Sequence, residues 1–536
     1  MSAPAQDVLA PPVQDSISLG EATVRSGTSS TAAAGTSSRP DAHTQRYDRQ
    51  LRLWASSGQS ALENAHILVI NGSATGSSTL KNLVLPGVGQ FTIIDDAKVE
   101  ASDIGNNFFL ETTSLGKSRA EEVTRLLLEL NETVKGNAVV KNLDELASSP
   151  EKVLAYTLII AVDAEPTSLL KISDTAWQHD IPVIKVRSCG FYGSLRTQIG
   201  EFPIVETHPE SLIDLRIHSP FPELVEYANS IDYSKMDSAE FSHVPAVIVL
   251  VKAMEAWKTN HDGQVPQGSA ERQSFIKDLT ALKRKSDDEN IDEAVTLFRR
   301  AGTKANHSSS AGLLPLSGAL PDMHADSKGY VKLQTLYKTK ARQDLQLVNQ
   351  LLSELCTSIG IVDPRLRFSD DQVETFVKHS AFLKVVRGRS LRQELEKPLI
   401  KGRVDEIKMQ AQFGETPDDS LSVHIGLTAS ERFYQVNGRY PGTSVDDLDG
   451  TKDVKELGKL AKDVLDSFEG GEPDEELEKV VAEICRAGAA DLPQMAALLG
   501  GMVAQEAIKL ITKQYVPLNG TCIVNGIRST TSILQG

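Results

Sequence analysis

The sequence predicts an α/β protein in which a long helical insertion divides one parallel sheet with helices on its faces. Short apolar runs of strand length alternate with segments of helical period in the first part of the chain. This alternation is typical of a parallel sheet. The predicted strands lie at 66–70, 91–95, 138–141, 157–163 and 182–186, with an antiparallel continuation at 189–199. The predicted helices among them include 115–131 and 166–178.

The α/β pattern stops after residue 205 and returns near the end of the chain. Helices joined by loops fill the segment up to residue 484, and an apolar helix at 496–511 precedes two short strands at 515–519 and 521–525. We therefore predict one α/β domain that is split in sequence. Its parts are a disordered tail at 1–42, a first part at 43–205, a mostly helical insertion at 206–484 and a last part at 485–536.

Composition excludes several classes of protein. A net charge of −16 argues against a general partner for nucleic acid or an anionic membrane, because phosphate groups would repel the chain. No apolar run is long enough to span a membrane, and the tail lacks the hydrophobic segment of a secretory signal. The four cysteines are far apart, which predicts neither a metal site nor disulfides and fits a cytoplasmic or nuclear location.

The turn after the first strand carries the most specific signal. Strand, turn and helix follow one another as in a dinucleotide-binding unit, where a G-x-G-x-x-G turn brings backbone amides to a phosphate. Here the turn reads Asn71-Gly72-Ser73-Ala74-Thr75-Gly76, and Asp95 stands where a ribose ligand is expected. Side chains stand at positions where glycine would let the backbone approach a phosphate. We therefore predict a Rossmann-like scaffold that has lost its ligand, with Asp95 as a vestige.

Three segments in the right order resemble a known family. They are RYDRQLRLW at 46–54, KNLVLPGVGQFTIIDDAKVEASDIGNNFFL at 81–110 and AALLGGMVAQEAIKLITKQYVPLNG at 496–520. Together they resemble the adenylation domain of ubiquitin-like-protein-activating enzymes and their bacterial ThiF and MoeB relatives. The resemblance implies a Rossmann-like adenylation fold.

Further segments narrow the resemblance to the regulatory subunits of neddylation-activating enzymes. These segments are THPES at 207–211, PFPEL at 220–224, 320–341, SAFLKVVRGRSL at 380–391 and NGRYPG at 437–442. The resemblance implies a heterodimer whose catalytic subunit holds ATP and Mg, adenylates the ubiquitin-like modifier and carries the thioester cysteine. It implies that this chain binds no cofactor or metal itself, and that modifier and conjugating enzyme are further partners.

Comparison with active members of the family indicates how the site has changed. Asn71, Ser73 and Ala74 stand on three of the family's four glycines, and only Gly76 is kept. Asn106 replaces an arginine that contacts ATP phosphates, and a neutral amide binds phosphate more weakly than a cation does. Lys117 and Asp163 match family residues. Taken alone, however, both are better explained as ordinary surface residues.

The resemblance also implies contacts with the partner subunit. Arg49 lies in the segment whose arginine reaches the nucleotide held by the other subunit, where positive charge stabilises the transition state. The neighbouring Arg52 is interpreted as structural. The implied interface residues are Pro321, Asp322, Met323, Tyr330, Lys332, Leu333, Gln334 and Tyr337.

The helical insertion resembles a catalytic-cysteine domain without its cysteine. Its only cysteine, Cys356, lies in an apolar helical stripe, where a thiol behaves as a small hydrophobic group. Cys189 directly follows a predicted strand and is no better a nucleophile. We therefore expect neither residue to form a thioester.

Three alternatives stay open at the level of sequence. A self-sufficient adenylating enzyme would need an unusual loop at 71–74, and an NAD-dependent oxidoreductase would need a catalytic set that is not visible. The regulatory subunit of the Sumo-activating enzyme is the closest competitor. That subunit lacks a large helical insertion, so the 206–484 segment argues against it.

Overall fold

The structure is a computed structural model, and it describes most of the chain from residue 41 onward. The described residues are 41–205, 215–286, 288–301, 328–361, 368, 370–380, 383–396, 419–444, 451–468 and 470–534. The chain divides into two units, 1–46 and 47–536. In the first unit, Asp41 accepts a hydrogen bond from the Thr44 backbone at 2.6 Å. The predicted disordered tail lies outside the described residues except for 41 and 42, where the first helix begins.

The second unit is built on an eight-stranded sheet. The strands are β1 (His66–Ile70), β2 (Gln90–Ile94), β3 (Lys135–Val139), β4 (Leu158–Val162), β5 (Val183–Cys189), β6 (Tyr192–Gln198), β9 (Thr521–Asn525) and β10 (Thr530–Leu534). Their order is β10-β9-β6-β5-β4-β1-β2-β3. The strands from β5 to β3 run parallel, whereas β6, β9 and β10 pair antiparallel. The predicted fold class is therefore confirmed.

Helices alternate with the strands in the first part of the chain. They are α1 (Ala42–Glu63), α2 (Ala74–Val84), α3 (Ala101–Asn106), α4 (Arg119–Leu128), α5 (Leu143–Ala147) and α6 (Pro166–Gln178). Helix α1 is kinked at Trp54 and Ala55. Helix α4 begins later than predicted because Ser118 caps it, accepting a bond from the Glu121 backbone, and a short 3-10 helix at Thr112–Ser114 precedes the cap.

In the residues that the structure describes, the insertion is mostly helical, as predicted. Its helices are α7 (Pro222–Ser230), α8 (Ser238–Ser242), α9 (Ala246–Asn260), α10 (Gly268–Ala281), α11 (Glu289–Ala301), α12 (Lys328–Ser358), α13 (Asp370–His379), α14 (Leu391–Glu396), α15 (Ser420–Asn437), α16 (Thr451–Ser467) and α17 (Glu475–Ala487). Helix α9 lies at the centre of a separate apolar core, which explains why its residues from 246 to 251 are all buried.

The end of the insertion packs on the sheet. Buried residues of α15, α16 and α17 share one core with Tyr192 of β6 and Ile523 of β9. The predicted boundary at 484 falls inside α17. A second, two-stranded sheet, which the sequence analysis did not predict, pairs β7 (Glu201–Val205) with β8 (Leu383–Arg387).

Helix α18 (Pro493–Thr512) returns the chain to the α/β domain. By length and composition it could cross a membrane, but its apolar residues Leu499, Val503 and Leu510 are buried in the main core. A Cβ on Gly500 would lie 2.6 Å from Ser78 Cβ and 2.8 Å from the Thr79 backbone nitrogen. The glycine therefore permits the close contact between α18 and α2.

One strand prediction near the end of the chain was wrong. Residues 515–519 form no strand, because Pro517 has no N–H to donate and the Leu518 N–H donates to Glu506 Oε2 at 2.7 Å instead. The strand predicted at 521–525 is confirmed as β9, and β10 follows it.

Candidate functional site

A cavity of about 410 Å³ lies at the carboxyl ends of β1 and β4. In open α/β sheets, ligands bind in the crevice outside these strand ends. The loop after β1, helix α3, the first residue of α4, the end of β4 and the segment before α18 supply its lining. The lining side chains include Asn71, Ser73, Ala74, Asp103, Asn106, Arg119, Asp163 and Asp491. The structure thus places Asn71, Ser73 and Ala74 of the degenerate loop, Asn106 and Asp163 around one cavity.

The degenerate loop is fixed by its own side chains. Asn71 has a φ of 72°, in the left-handed region that asparagine tolerates better than most residues. Its side-chain amide donates to the carbonyl oxygens of Val162 at 2.7 Å and Asp163 at 3.1 Å, across the end of β4. A Cβ on Gly76 would lie 2.3 Å from the Asn71 carbonyl oxygen. The surviving glycine is therefore needed for the turn itself.

Asp95 is sequestered inside the protein. It is only 3% exposed, and its carboxylate accepts hydrogen bonds from the backbone amides of Gly72 at 2.9 Å and Ala97 at 2.9 Å. Arg119 Nε donates to the same carboxylate at 2.7 Å. The carboxylate expected to face a ribose is therefore bound from three sides by its own chain.

Arg119 is the cation of the cavity, and the sequence analysis did not single it out. Besides Asp95 it binds Asp103, with Nη1 3.2 Å from Oδ1. Burial alone would lower the pKa of Arg119, but the charges of Asp95 and Asp103 outweigh burial and raise it. Its place in the first turn of α4, two residues after Lys117, is the only signal that the sequence offered.

Asp491 is the second residue that sequence reasoning missed. Its carboxylate accepts from the Thr75 backbone N–H at 2.8 Å and from the Thr75 hydroxyl at 2.7 Å. The Ser188 hydroxyl, at the end of β5, donates to it at 3.0 Å. Thr75 and Asp491 are 416 positions apart, so no spacing rule joins them.

Asp163 is partly buried and forms an ion pair with the buried Arg187. Arg187 Nη1 lies 2.5 Å from its Oδ1, and the Ser188 backbone donates to the same oxygen at 2.9 Å. Burial raises the pKa of Asp163, although Arg187 acts in the opposite direction. The Arg187 guanidinium stacks over the Tyr440 ring at 3.7 Å. Asp163 therefore has a structural partner inside the chain.

Lys117, which matches a lysine of the family, is not among the residues that line the cavity. Lys117 Nζ is 3.5 Å from Glu122 Oε1, and its side chain is 55% exposed. Within the residues that the structure describes, no group of three or more His, Cys, Asp or Glu side chains is placed to hold a metal ion. The cavity lining thus combines the carboxylates of Asp103, Asp163 and Asp491 with one guanidinium that is already bound twice.

Arg49 has a very different setting. Its side chain is exposed on α1, and in the described part of the chain no acidic group pairs with it. Arg52 is also exposed but pairs with Asp48, with Nε 3.0 Å from Oδ2. Trp54, on the same helix, is buried in the main core.

The residues implied at the partner interface divide into three groups. Pro321, Asp322 and Met323 lie outside the described residues. Leu333 and Tyr337 are buried in the core of the insertion, where the Tyr337 hydroxyl donates to the Leu215 carbonyl oxygen at 2.6 Å. Their burial corrects the expectation that these two side chains form a contact surface. The described residues of the set that keep surface area are Tyr330, Lys332 and Gln334.

All four cysteines are buried and free of disulfides. The buried setting predicted for Cys356 is confirmed, at 4% exposure in α12. Cys189 is fully buried, and burial raises the pKa of its thiol to about 11. A thiol with a raised pKa is a poor nucleophile at neutral pH, because the thiolate is the reactive form.

Comparisons with known proteins show the family to which this chain belongs. The family model described as "ThiF family" matches residues 47–534. The NEDD8-activating enzyme E1 regulatory subunit of Xenopus laevis is 36% identical over 92% of this chain and 98% of its own length. The NEDD8-activating enzyme E1 regulatory subunit AXL of Arabidopsis thaliana is 37% identical over 90% and 97%, and the Saccharomyces cerevisiae relative is 26% identical over 91% and 99%. The chain therefore belongs to the ThiF family, in the group of NEDD8-activating enzyme E1 regulatory subunits.

Proposed function

We propose that this chain is the half of a heterodimeric NEDD8-activating enzyme that binds no nucleotide, while its catalytic partner holds ATP and Mg. The observation that carries the proposal is the state of Arg119. It is the one cation among the described lining residues of the cavity, and two carboxylates of the same chain already bind it. A phosphate entering the cavity would have to compete with both.

Electrostatics and hydrogen bonding both oppose ATP in this cavity. A triphosphate would approach the carboxylates of Asp103, Asp163 and Asp491, and like charges a few ångströms apart repel strongly in a partly buried site. The backbone amides of Gly72 and Thr75 already donate to carboxylates, so they are not available to phosphate oxygens. The family's phosphate-binding arginine is replaced by Asn106.

Arg49 is proposed to act on the partner's nucleotide. Its exposed side chain, with no acidic partner in the described part of the chain, is available to another protein. A cation placed near the phosphates stabilises the charge that develops as AMP is transferred to the modifier's carboxylate. In this scheme the present chain supplies a scaffold and one guanidinium, and the partner supplies the thioester cysteine.

The other parts of the proposal follow the same division of labour. The ubiquitin-like modifier and its conjugating enzyme would bind the heterodimer, with this chain forming part of the groove that receives them. Tyr330, Lys332 and Gln334 on α12 remain as described candidates for contact with a partner. The proposed location is the cytoplasm and nucleus, consistent with four unpaired cysteines.

ATP binding and ATP–pyrophosphate exchange test the proposal. The full chain alone, the catalytic subunit alone and the purified heterodimer are assayed in parallel with saturating modifier. We expect no exchange and no ATP binding for this chain alone, and one ATP bound per heterodimer. Exchange by this chain without a partner would instead identify it as a self-sufficient adenylating enzyme. Two ATP molecules per heterodimer would also contradict the proposal.

A further inference from the structure

The Asp491 carboxylate occupies the N-terminal end of α2. It binds both the backbone N–H and the hydroxyl of Thr75, the second residue of that helix, at 2.8 and 2.7 Å. The first N–H groups of a helix have no partner inside the helix, and the helix dipole favours an anion beside them. In related folds this is the position of a phosphate. Here the anion is a side chain of the protein.

Two further observations show that Asp491 is not simply a helix cap. Ser73 already caps α2, since its hydroxyl accepts from the Gly76 backbone at 3.4 Å. The Ser188 hydroxyl, at the end of strand β5, donates to Asp491 at 3.0 Å. The carboxylate is therefore held by groups from two separate elements, as a bound anion would be.

The packing of α18 keeps the carboxylate in place. Asp491 precedes α18 by two residues, and Gly500 brings that helix into contact with Ser78 and Thr79 of α2. Asp491 could leave the site only if its segment moved relative to this tight contact. The close approach of α18 to α2 and the three hydrogen bonds of Asp491 therefore both hold this carboxylate in place.

We infer that Asp491 is a built-in anionic ligand that closes the degenerate phosphate site from within. It replaces the stabilisation that a bound nucleotide would give, and it fastens the C-terminal segment to the first strand–turn–helix unit. This goes beyond the proposed function, which states only that nucleotide is absent. It implies that removal of the carboxylate opens a site for small inorganic anions.

The experiment compares Asp491→Ala with Asp474→Ala in the full chain. Asp474 provides a matched control, because its carboxylate also accepts a helix N-terminal N–H, from Leu477 at 2.8 Å, but lies outside the cavity lining. Thermal unfolding is recorded in chloride, in inorganic phosphate and in formate at equal ionic strength. Formate supplies the carboxylate that the alanine variant lacks.

We expect both variants to unfold at a lower temperature than the wild type, Asp491→Ala by more. Phosphate or formate should recover part of the loss in Asp491→Ala only, and should leave the wild type and Asp474→Ala unchanged. An Asp491→Ala loss that neither anion recovers, or an unchanged unfolding temperature, would overturn the inference. Equal stabilisation of the wild type would also overturn it, because the site would then already be open.

A milder variant covers the case in which Asp491→Ala does not fold. Thr75→Val keeps the backbone N–H and the side-chain shape but removes the hydroxyl that donates to Asp491. It should lower the unfolding temperature less than Asp491→Asn does, and no change in either variant would contradict the inference. Failure of the proposed function has a different signature, namely ATP binding by the wild-type chain.

Discussion

Two arginines of this chain show opposite uses of the same side chain. The Arg119 side chain is 17% exposed and forms ion pairs with Asp95 and Asp103, both within its own domain. Arg49 is exposed on α1 and has no acidic partner in the described part of the chain. The contrast indicates that Arg119 serves the packing of its own domain, whereas the proposed function uses the exposed guanidinium of Arg49 at the partner's nucleotide.

The largest expected effect concerns the inner arginine. Arg119→Ala should destabilise the chain by about 4 kcal/mol, because it leaves the buried Asp95 carboxylate without its charged partner. Chemical denaturation of the full chain measures this. Arg119→Lys should recover only part of the loss, since lysine cannot bridge two carboxylates with a planar fork. A loss below about 1 kcal/mol would show that Arg119 is not structurally important.

The outer arginine should show the reverse behaviour. Arg49→Ala should slow ATP–pyrophosphate exchange by the heterodimer about a hundredfold, equivalent to about 3 kcal/mol of transition-state stabilisation. The unfolding free energy and co-purification of the two subunits should stay the same. Exchange at the wild-type rate, or loss of the partner during purification, would assign Arg49 a structural role and remove the contrast.

A smaller effect tests whether the buried thiol of α12 has any chemical role. Cys356→Ala should lower stability by about 1 kcal/mol, as expected for a small cavity in a packed helix. Thioester formation between the heterodimer and its modifier should remain intact, and non-reducing gel electrophoresis detects it. A folded variant that no longer forms the thioester would identify Cys356 as the nucleophile.

The smallest effect provides a control for Arg49. Arg52 lies one turn further along the same surface and pairs with Asp48, but both side chains are largely exposed. Exposed pairs of this kind contribute about 0.5 kcal/mol or less. Arg52→Ala should therefore change neither stability nor exchange measurably. A large loss of exchange would show that the assay responds to charge on α1 in general.

The features that sequence could predict were those fixed by neighbouring residues. The apolar run at His66–Ile70 became β1, and the segment beginning at Pro166 became α6 with the predicted bounds. The degenerate turn was also visible, because its defect lies in consecutive residues from 71 to 76. The local sequence pattern determined these features, and the observed bounds of β1 and α6 are the predicted ones.

The features that sequence could not predict depend on distant contacts. Asp491 closes the site through Thr75 and Ser188, and neither spacing nor composition links these residues. Leu333 and Tyr337 lie within a segment that resembles an interface, yet the core of the insertion buries them. The pairing of β7 with β8 likewise joins the end of the first part to a strand within the insertion. Each of these features depends on contacts between residues that are distant in sequence.

The split sheet has a consequence for how the protein is made. Strand β6 pairs with β9 through residues such as Arg196 and Thr521, which are 325 positions apart. A ribosome adds about 5–20 residues per second, so β6 is synthesised on the order of 15–60 s before its neighbour. During that interval β6 is an unpaired edge, open to pairing with other nascent chains. The long insertion thus leaves this edge of the sheet without its native partner until β9 (Thr521–Asn525) has been synthesised.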